Sequence, residues 1–325
     1  TGDTIRLAGD YLRIIFAGIP FLAVYNVYSA ALRGIGDSRA PFLAILFSSA
    51  VNVVLDILFV ACLHWGVKGA AAATVISQAA MTAFLILYAV AKHPLLRFCP
   101  GGRLLYGNAL EQGFRLGIPP MIQSSVSAFG SLLLQNFMNG FGTQTVAAIT
   151  TAYRVDTIIL LPIINLGSGI STIVARNHGA GEEGRAKRVL AVGTAMMAAV
   201  SLFLTILVIP TGGRVIAMFG VGAGAVGIGQ DFFQRIACFY VVFGLATAVR
   251  GYLEGIGDVL YSSIAGIVSL ISRILASYGM AAVFGNMVIA YAEAFSWGVL
   301  LALYLARMGW RRYRMGGPID SPATP

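Results

Sequence analysis

Asn52 and Asp56 lie inside the apolar run 41–63, and their four-residue spacing puts both side chains on one helix face, with Ser48 a turn earlier on the same stripe. An ionised carboxylate is costly at bilayer depth, so an acid in such a run is read first as a functional group that needs a partner. The bland alternative is a hydrogen bond to a neighbouring helix. The next apolar run opens with Gly69 and the stretch Ala70–Ala73, which permits close helix approach, and then offers Thr74, Ser77 and Gln78. Asp56, Asn52 and Thr74 can together supply the carboxylate, amide and hydroxyl oxygens that a hard monovalent cation takes as ligands. Thr74 alone equally fits a simple interhelical hydrogen bond.

A second constellation lies further along the chain. Leu32-Arg33-Gly34-Ile35-Gly36-Asp37 recurs as Leu253-Glu254-Gly255-Ile256-Gly257-Asp258, 221 residues later, and the same offset superposes Ala44 on Ala265 and Ser48 on Ser269. Carried forward, it places Arg273 at the position of Asn52 and Ser277 at that of Asp56. After a two-residue gap at Gly285, Glu293 stands at the position of Thr74. Arg273 and Glu293 are then expected to face one another on neighbouring helices, as a structural ion pair or as a substrate or proton site. Ser124, Ser127, Ser131, Gln135 and Asn139 recur at helical spacing, followed by Thr150, Thr151, Arg154 and Thr157. These stripes suit either a wet cavity or packing contacts, and Arg154 either marks the membrane interface or pairs with Asp156.

The elements that must position these residues are membrane helices. Of 325 residues, 58% are hydrophobic and 11% charged, and mean hydropathy is +0.83, against about 25% charged residues in a soluble domain. The reading is an all-α integral membrane protein. Nine runs reach crossing length, at 9–32, 41–63, 69–91, 116–139, 146–175, 189–210, 231–253, 260–283 and 286–306. The fifth is expected to be broken by Pro162 and the Gly167/Gly169 pair. Of the 22 Lys and Arg residues, fifteen fall in segments on one side, three on the other and four within or beside spans. That bias puts the first residues outside and the last inside. The net charge of +9 is therefore a topology signal and not a nucleic-acid footprint. Three scattered cysteines give no disulfide framework or zinc site, and no catalytic motif or cofactor loop appears, so the chain does not read as an enzyme.

Six spans separate the two copies of the Gly-Ile-Gly-Asp turn, and an even number keeps both turns on one membrane face. The halves are then a parallel repeat about an axis along the membrane normal. The expected organisation is a partial first lobe of three spans (1–91), an inter-lobe linker (92–115), a complete six-span lobe (116–307) and a disordered tail (308–325). Three further spans are expected upstream, giving twelve.

In family order, Arg33-Gly34-Ile35-Gly36-Asp37, Asn52 with Asp56, Gly69-Ala70-Ala71, Leu116-Gly117-Ile118-Pro119, Ala152-Tyr153-Arg154 and Ala175-Arg176-Asn177-His178-Gly179-Ala180-Gly181 resemble the multidrug and toxic compound extrusion (MATE) family. The resemblance implies twelve helices in two lobes around a V-shaped cavity, and export of cationic or amphipathic compounds against inward Na⁺ or H⁺. It implies no other cofactor, a plasma-membrane location, the lipid bilayer and a small molecule as partners, and a monomer. It also implies that Asn52, Asp56 and Thr74 match the first-lobe ion ligands, with a further acid on the absent first helix. Other members use an acid where this chain has Ser127. A flippase for lipid-linked saccharides is the alternative; it would want a cavity lined by Arg or Lys, for which Arg154 and Arg273 are the candidates.

Overall fold

Long apolar runs without water to satisfy their backbone polar groups close those groups internally, and the chain accordingly folds as helices. The computed structural model describes residues 2–97, 107–220 and 222–315, and they divide into two compact units, 1–104 and 105–325. The first holds α1 (Gly2–Ile35), α2 (Arg39–Asp56), a π-helical segment (Ile57–Cys62), α3 (Gly66–Lys92) and a 3₁₀ turn (Pro94–Leu96). The second holds α4 (Gly107–Asn139), α5 (Thr143–Ile159), α6 (Leu161–Gly179), α7 (Glu183–Ala217), α8 (Ala223–Ile236), α9 (Tyr240–Gly255), α10 (Val259–Phe284) and α11 (Val288–Met315).

Among the described residues, six helical stretches are long and apolar enough to cross a membrane, and α5 with α6, bent by 41°, makes a seventh. The expected nine is not reached by this measure for two reasons. The stripe of Ser124, Ser127, Ser131 and Gln135, together with Glu111 and Arg115, keeps α4 below the required hydropathy. The stretch Val259–Arg311 counts once although it contains both α10 and α11, parted at Gly285, whose φ of +55° few other residues tolerate. Those two helices run antiparallel: bonds pair Asp258 with Arg307, Ser262 with Tyr304, Ser269 with Ser296 and Arg273 with Glu293 in order.

Other boundaries differ from expectation. The fifth run breaks at Leu160, just before Pro162, whose missing N–H suits the first turn of α6. Gly167 does not break α6; it admits the close approach of Thr247 on α9. Residues 107–115, expected in the linker, belong to α4, and 308–315, expected in the tail, belong to α11, because Arg307 and Arg311 are drawn back onto Asp258. The remaining parts of the expected linker and tail, 98–106 and 316–325, lie outside the described residues.

Hydrogen bonds express the repeat directly. Ser48 Oγ donates to the Ser77 carbonyl at 3.0 Å, and Ser269 Oγ, 221 residues on, donates to the Ser296 carbonyl at 2.8 Å. At the ends of these helix pairs, Asp37 accepts from Tyr88 at 2.9 Å and lies 3.1 Å from His93 Nε2, while Asp258 accepts from Arg307 and Arg311. Each Gly-Ile-Gly-Asp turn thus ends in an acid that ties down the third helix of its set. Desolvation alone would push the Asp37 carboxyl up; hydrogen bonds from His93, the Ala40 amide and Tyr88 prevail and hold it at about 2. A depressed carboxyl contributes fully above its unfolded value, roughly pH 4, and its contribution fades as pH falls through about 2.

The core of the second unit is built on fully buried Ile149, Ile163, Met197, Phe232, Phe233 and Tyr240. Large side chains such as Phe203 and Ile206 face outward, as lipid contact requires. A methyl group on Gly167 would collide with Thr247, whereas one on Gly169, two residues on in the same helix, meets open space. Gly167→Ala is expected to destabilise the protein by about 1–3 kcal/mol through overpacking. Gly169→Ala should be neutral or stabilising by up to about 1 kcal/mol, since alanine favours the helix. Thermal unfolding of the two variants in detergent measures the difference.

Candidate ion and charge-pair sites

In the first unit the face bearing Asn52 and Asp56 is half-buried, and the α-helix gives way to a π-helical turn directly after Asp56. Such turns widen the helix and recur at functional sites. Asn52 Nδ2 and Asp56 Oδ1 are buried without a hydrogen-bond partner. Polar atoms in that condition are costly unless something occupies them, so the carboxylate oxygen is suited to a proton or a cation. Thr74 Oγ1 donates to the Ala70 carbonyl of its own helix at 3.0 Å, which spends its hydrogen and leaves its lone pairs free. Ser48 is committed to the α2–α3 junction through Ser77. Among the described residues no group of three or more His, Cys, Asp or Glu side chains is arranged to hold a metal ion.

In the second unit Arg273 on α10 donates to Glu293 Oε2 on α11 at 3.1 Å and to the Tyr153 hydroxyl on α5 at 2.6 Å. Its guanidinium also lies over the Tyr153 ring, 5.5 Å from the centroid. Three helices therefore converge on one cation. Tyr153 enters the cluster through the motif Ala152-Tyr153-Arg154, but its contact with Arg273 spans 120 residues and has no local signal.

Arg154 does not pair with Asp156. It is exposed and lines an open recess of about 550 Å³ with Asn139, Thr143, Thr150 and Thr151. Asp156, two residues on, points into the core and accepts a hydrogen bond from Tyr240. Its three-residue spacing from Tyr153 marks it as sharing that inward face; nothing near Tyr240 in the sequence signals its role. Gln135 makes a long 3.4 Å contact with Asn139 on its own helix. Of Arg273, Glu293, Gln135 and Arg154, the fold brings together the first two.

Glu293→Gln or Arg273→Gln alone removes one partner of this largely buried pair, which costs up to roughly 3–5 kcal/mol. The double variant should recover much of that loss. Unfolding of the three variants in detergent reads the coupling, and additive losses would show that the pair contributes no joint stability.

The MatE family model matches residues 1–58 and 119–279, more than half of the chain. The chain is 32% identical over 267 residues to a probable multidrug resistance protein, YpnP, of Bacillus subtilis, covering 82% of this chain and 59% of that protein. It is 23% identical over 257 residues to the multidrug export protein MepA of Staphylococcus saprophyticus, covering 79% and 57%. The chain thus spans about six-tenths of the length of these curated relatives. A crystal structure of MATE in a bent conformation superposes with a TM-score of 0.87 at 20% identity, over 97% of this chain and 70% of that one. A MOP superfamily transporter from Pyrococcus furiosus superposes with a TM-score of 0.88 at 20% identity, over 97% and 71%. At such identity the likeness establishes the fold. With the family model spanning both units and the helices following the MATE transporter fold, the chain belongs to the MatE family.

Proposed function

We propose that the intact protein is a plasma-membrane exporter of cationic or amphipathic compounds, driven by inward movement of Na⁺ or H⁺ and working by alternating access of two lobes. The unpartnered Asp56 carboxylate oxygen beside Asn52 carries the coupling part of this reading. The drug-efflux part rests on the relatives, which are described as multidrug resistance and multidrug export proteins. In this reading nine helical passes fall in the chain: α1, α2 with its π segment, α3, α4, the bent pair α5–α6, α7, α8 with α9, α10 and α11. The first three belong to one lobe and the rest to the other, with the start of the chain outside and its end inside. The saccharide flippase is less well supported, because Arg273, one of its two candidate cavity cations, is already neutralised by Glu293.

Proton and Na⁺ compete for the same carboxylate, and either neutralises the polar face of α2. One monovalent cation moving inward supplies about 2.3 kcal/mol per 100 mV, against about 1.4 kcal/mol for each tenfold gradient of a neutral substrate. For a neutral substrate, a single carboxylate is therefore sufficient for uphill export at that voltage.

Asp56→Asn, close in volume and free of charge, is expected to abolish ion-driven efflux at near-normal expression. Asn52→Ala and Thr74→Ala, each removing a neutral ligand, should weaken ion dependence more mildly. The measurement is efflux from vesicles of the intact transporter under an imposed Na⁺ or H⁺ gradient. Transport by Asp56→Asn at the parental rate with unchanged ion dependence would remove Asp56 from the coupling role. Topology has its own check: cysteines placed at Lys68 and Arg185 should react with an impermeant thiol reagent from opposite faces, and labelling of both from one face would overturn the nine-pass reading.

A further inference from the structure

Asp156 is 3% exposed in the core of the second unit, and among the described residues the one hydrogen bond to its carboxyl group comes from the Tyr240 hydroxyl. The nearest guanidinium, Arg273, is engaged elsewhere, with Glu293 and Tyr153. Asp156 is nevertheless close enough to both Arg273 and Glu293 for their charges to act on it. With both acids ionised the cluster carries two negative charges against one positive, an excess of one inside a packed helical core. An uncompensated buried charge is not tolerated; the group takes up a counter-ion or neutralises. Among the described residues no third acid, histidine or cysteine joins the cluster to build a metal cage, and the smallest neutralising ligand is a proton.

Nothing else packed against α5 relieves the imbalance. On α8, Asp231 and Arg235 lie 3.6 Å apart and are occupied with each other. On α9, Arg250 and Glu254 pair at 2.6 Å near the far end of the helix. On α4 the charged residues Glu111 and Arg115 fall within the first nine residues; on α6, Arg176 and His178 lie in the last turn; on α7, Glu183, Arg185, Lys187 and Arg188 fall within the first six residues and Arg214 lies in the last turn.

We propose that Asp156 is an exchangeable-proton site in the second unit, separate from Asp56, with Tyr240 as its hydrogen-bond donor and Arg273 as the counter-charge that its ionised form recruits from Glu293. The arrangement described here, with Arg273 on Glu293, is the protonated state. When the O–H bond of the Asp156 carboxyl breaks, the proton leaves to water and the negative charge left behind competes with Glu293 for the one guanidinium. Arg273 is anchored on α10, Glu293 on α11 and Asp156 on α5. The exchange therefore shifts the attraction of Arg273 between α11 and α5, and a single proton is coupled to the links between these helices and α10. The repeat alignment sets Arg273 and Glu293 at the positions of Asn52 and Thr74, so equivalent positions of the repeat carry opposite solutions: an acid without a cation in one unit, a cation paired with an acid in the other.

The test is infrared difference spectroscopy of the intact protein in vesicles, recorded in Na⁺-free buffer between mildly acidic and alkaline pH. This readout is independent of transport, so it stands apart from the coupling role of Asp56. The parent protein should show a protonated-carboxyl carbonyl band that disappears reversibly on alkalinisation, is missing in Asp156→Asn and persists in Asp56→Asn. Tyr240→Phe, which removes a hydrogen bond that favours the carboxylate, should move the midpoint of that band to higher pH. Glu293→Gln releases Arg273 and should move it down by about one pH unit or more. Spectra of Asp156→Asn that superpose on the parent, or a band that does not respond to pH, would overturn the proton site; a midpoint unmoved in Glu293→Gln would overturn the exchange of Arg273.

Discussion

A bilayer core offers no hydrogen-bonding solvent, so each charge and each polar hydrogen placed there has to be met by another part of the chain. This constraint accounts for most of the side-chain architecture. Arg273 is met by Glu293 and Tyr153 from two other helices. Thr82 donates to the Phe21 carbonyl, Thr205 to that of Ala237, and Tyr261 to that of Leu303. Each contact spans helices and fixes their relative depth, which dispersion between smooth apolar surfaces would leave weakly specified.

The same constraint gives meaning to the places where it is not satisfied. Asp56 Oδ1 and Asn52 Nδ2 lack partners directly before a π-helical turn, where the backbone ladder is itself disturbed. Asp156 has a phenol but no cation of its own. Many polar groups of this chain find their acceptor within a turn or on the facing helix, as Ser48 and Ser269 do. Of the buried side-chain atoms without a partner among the described residues, which include the hydroxyls of Ser29, Thr150, Ser201 and Ser263, Asp56 Oδ1 alone belongs to an ionisable group.

The two units use one scaffold with different chemistry. Both place a serine hydroxyl on the next helix's carbonyl and an acid in the Gly-Ile-Gly-Asp turn against the end of the third helix. The acid meets Tyr88 and His93 in one unit and two arginines in the other. At mid-helix, Asn52 and Thr74 are replaced by Arg273 and Glu293. Duplication preserves the contacts that set helix register, while the polar positions facing inward are free to diverge.

Much of this was legible in the residues themselves. Helical class follows from apolar run length, because only a helix satisfies its backbone within one segment. The facing of Arg273 and Glu293 followed from the 221-residue offset, and Pro162 announced a break near the middle of the fifth run. Periodicity did not reveal the π turn after Asp56, since six apolar residues read alike as α or π. It also left open which acid each arginine would take: Arg154 and Asp156 are neighbours in sequence, yet their side chains leave the helix on different faces, and Asp156 meets Tyr240 across 84 residues. Local spacing determines which face a side chain occupies. Which distant group occupies the opposite face is set by helix packing, and that is decided by the tertiary structure.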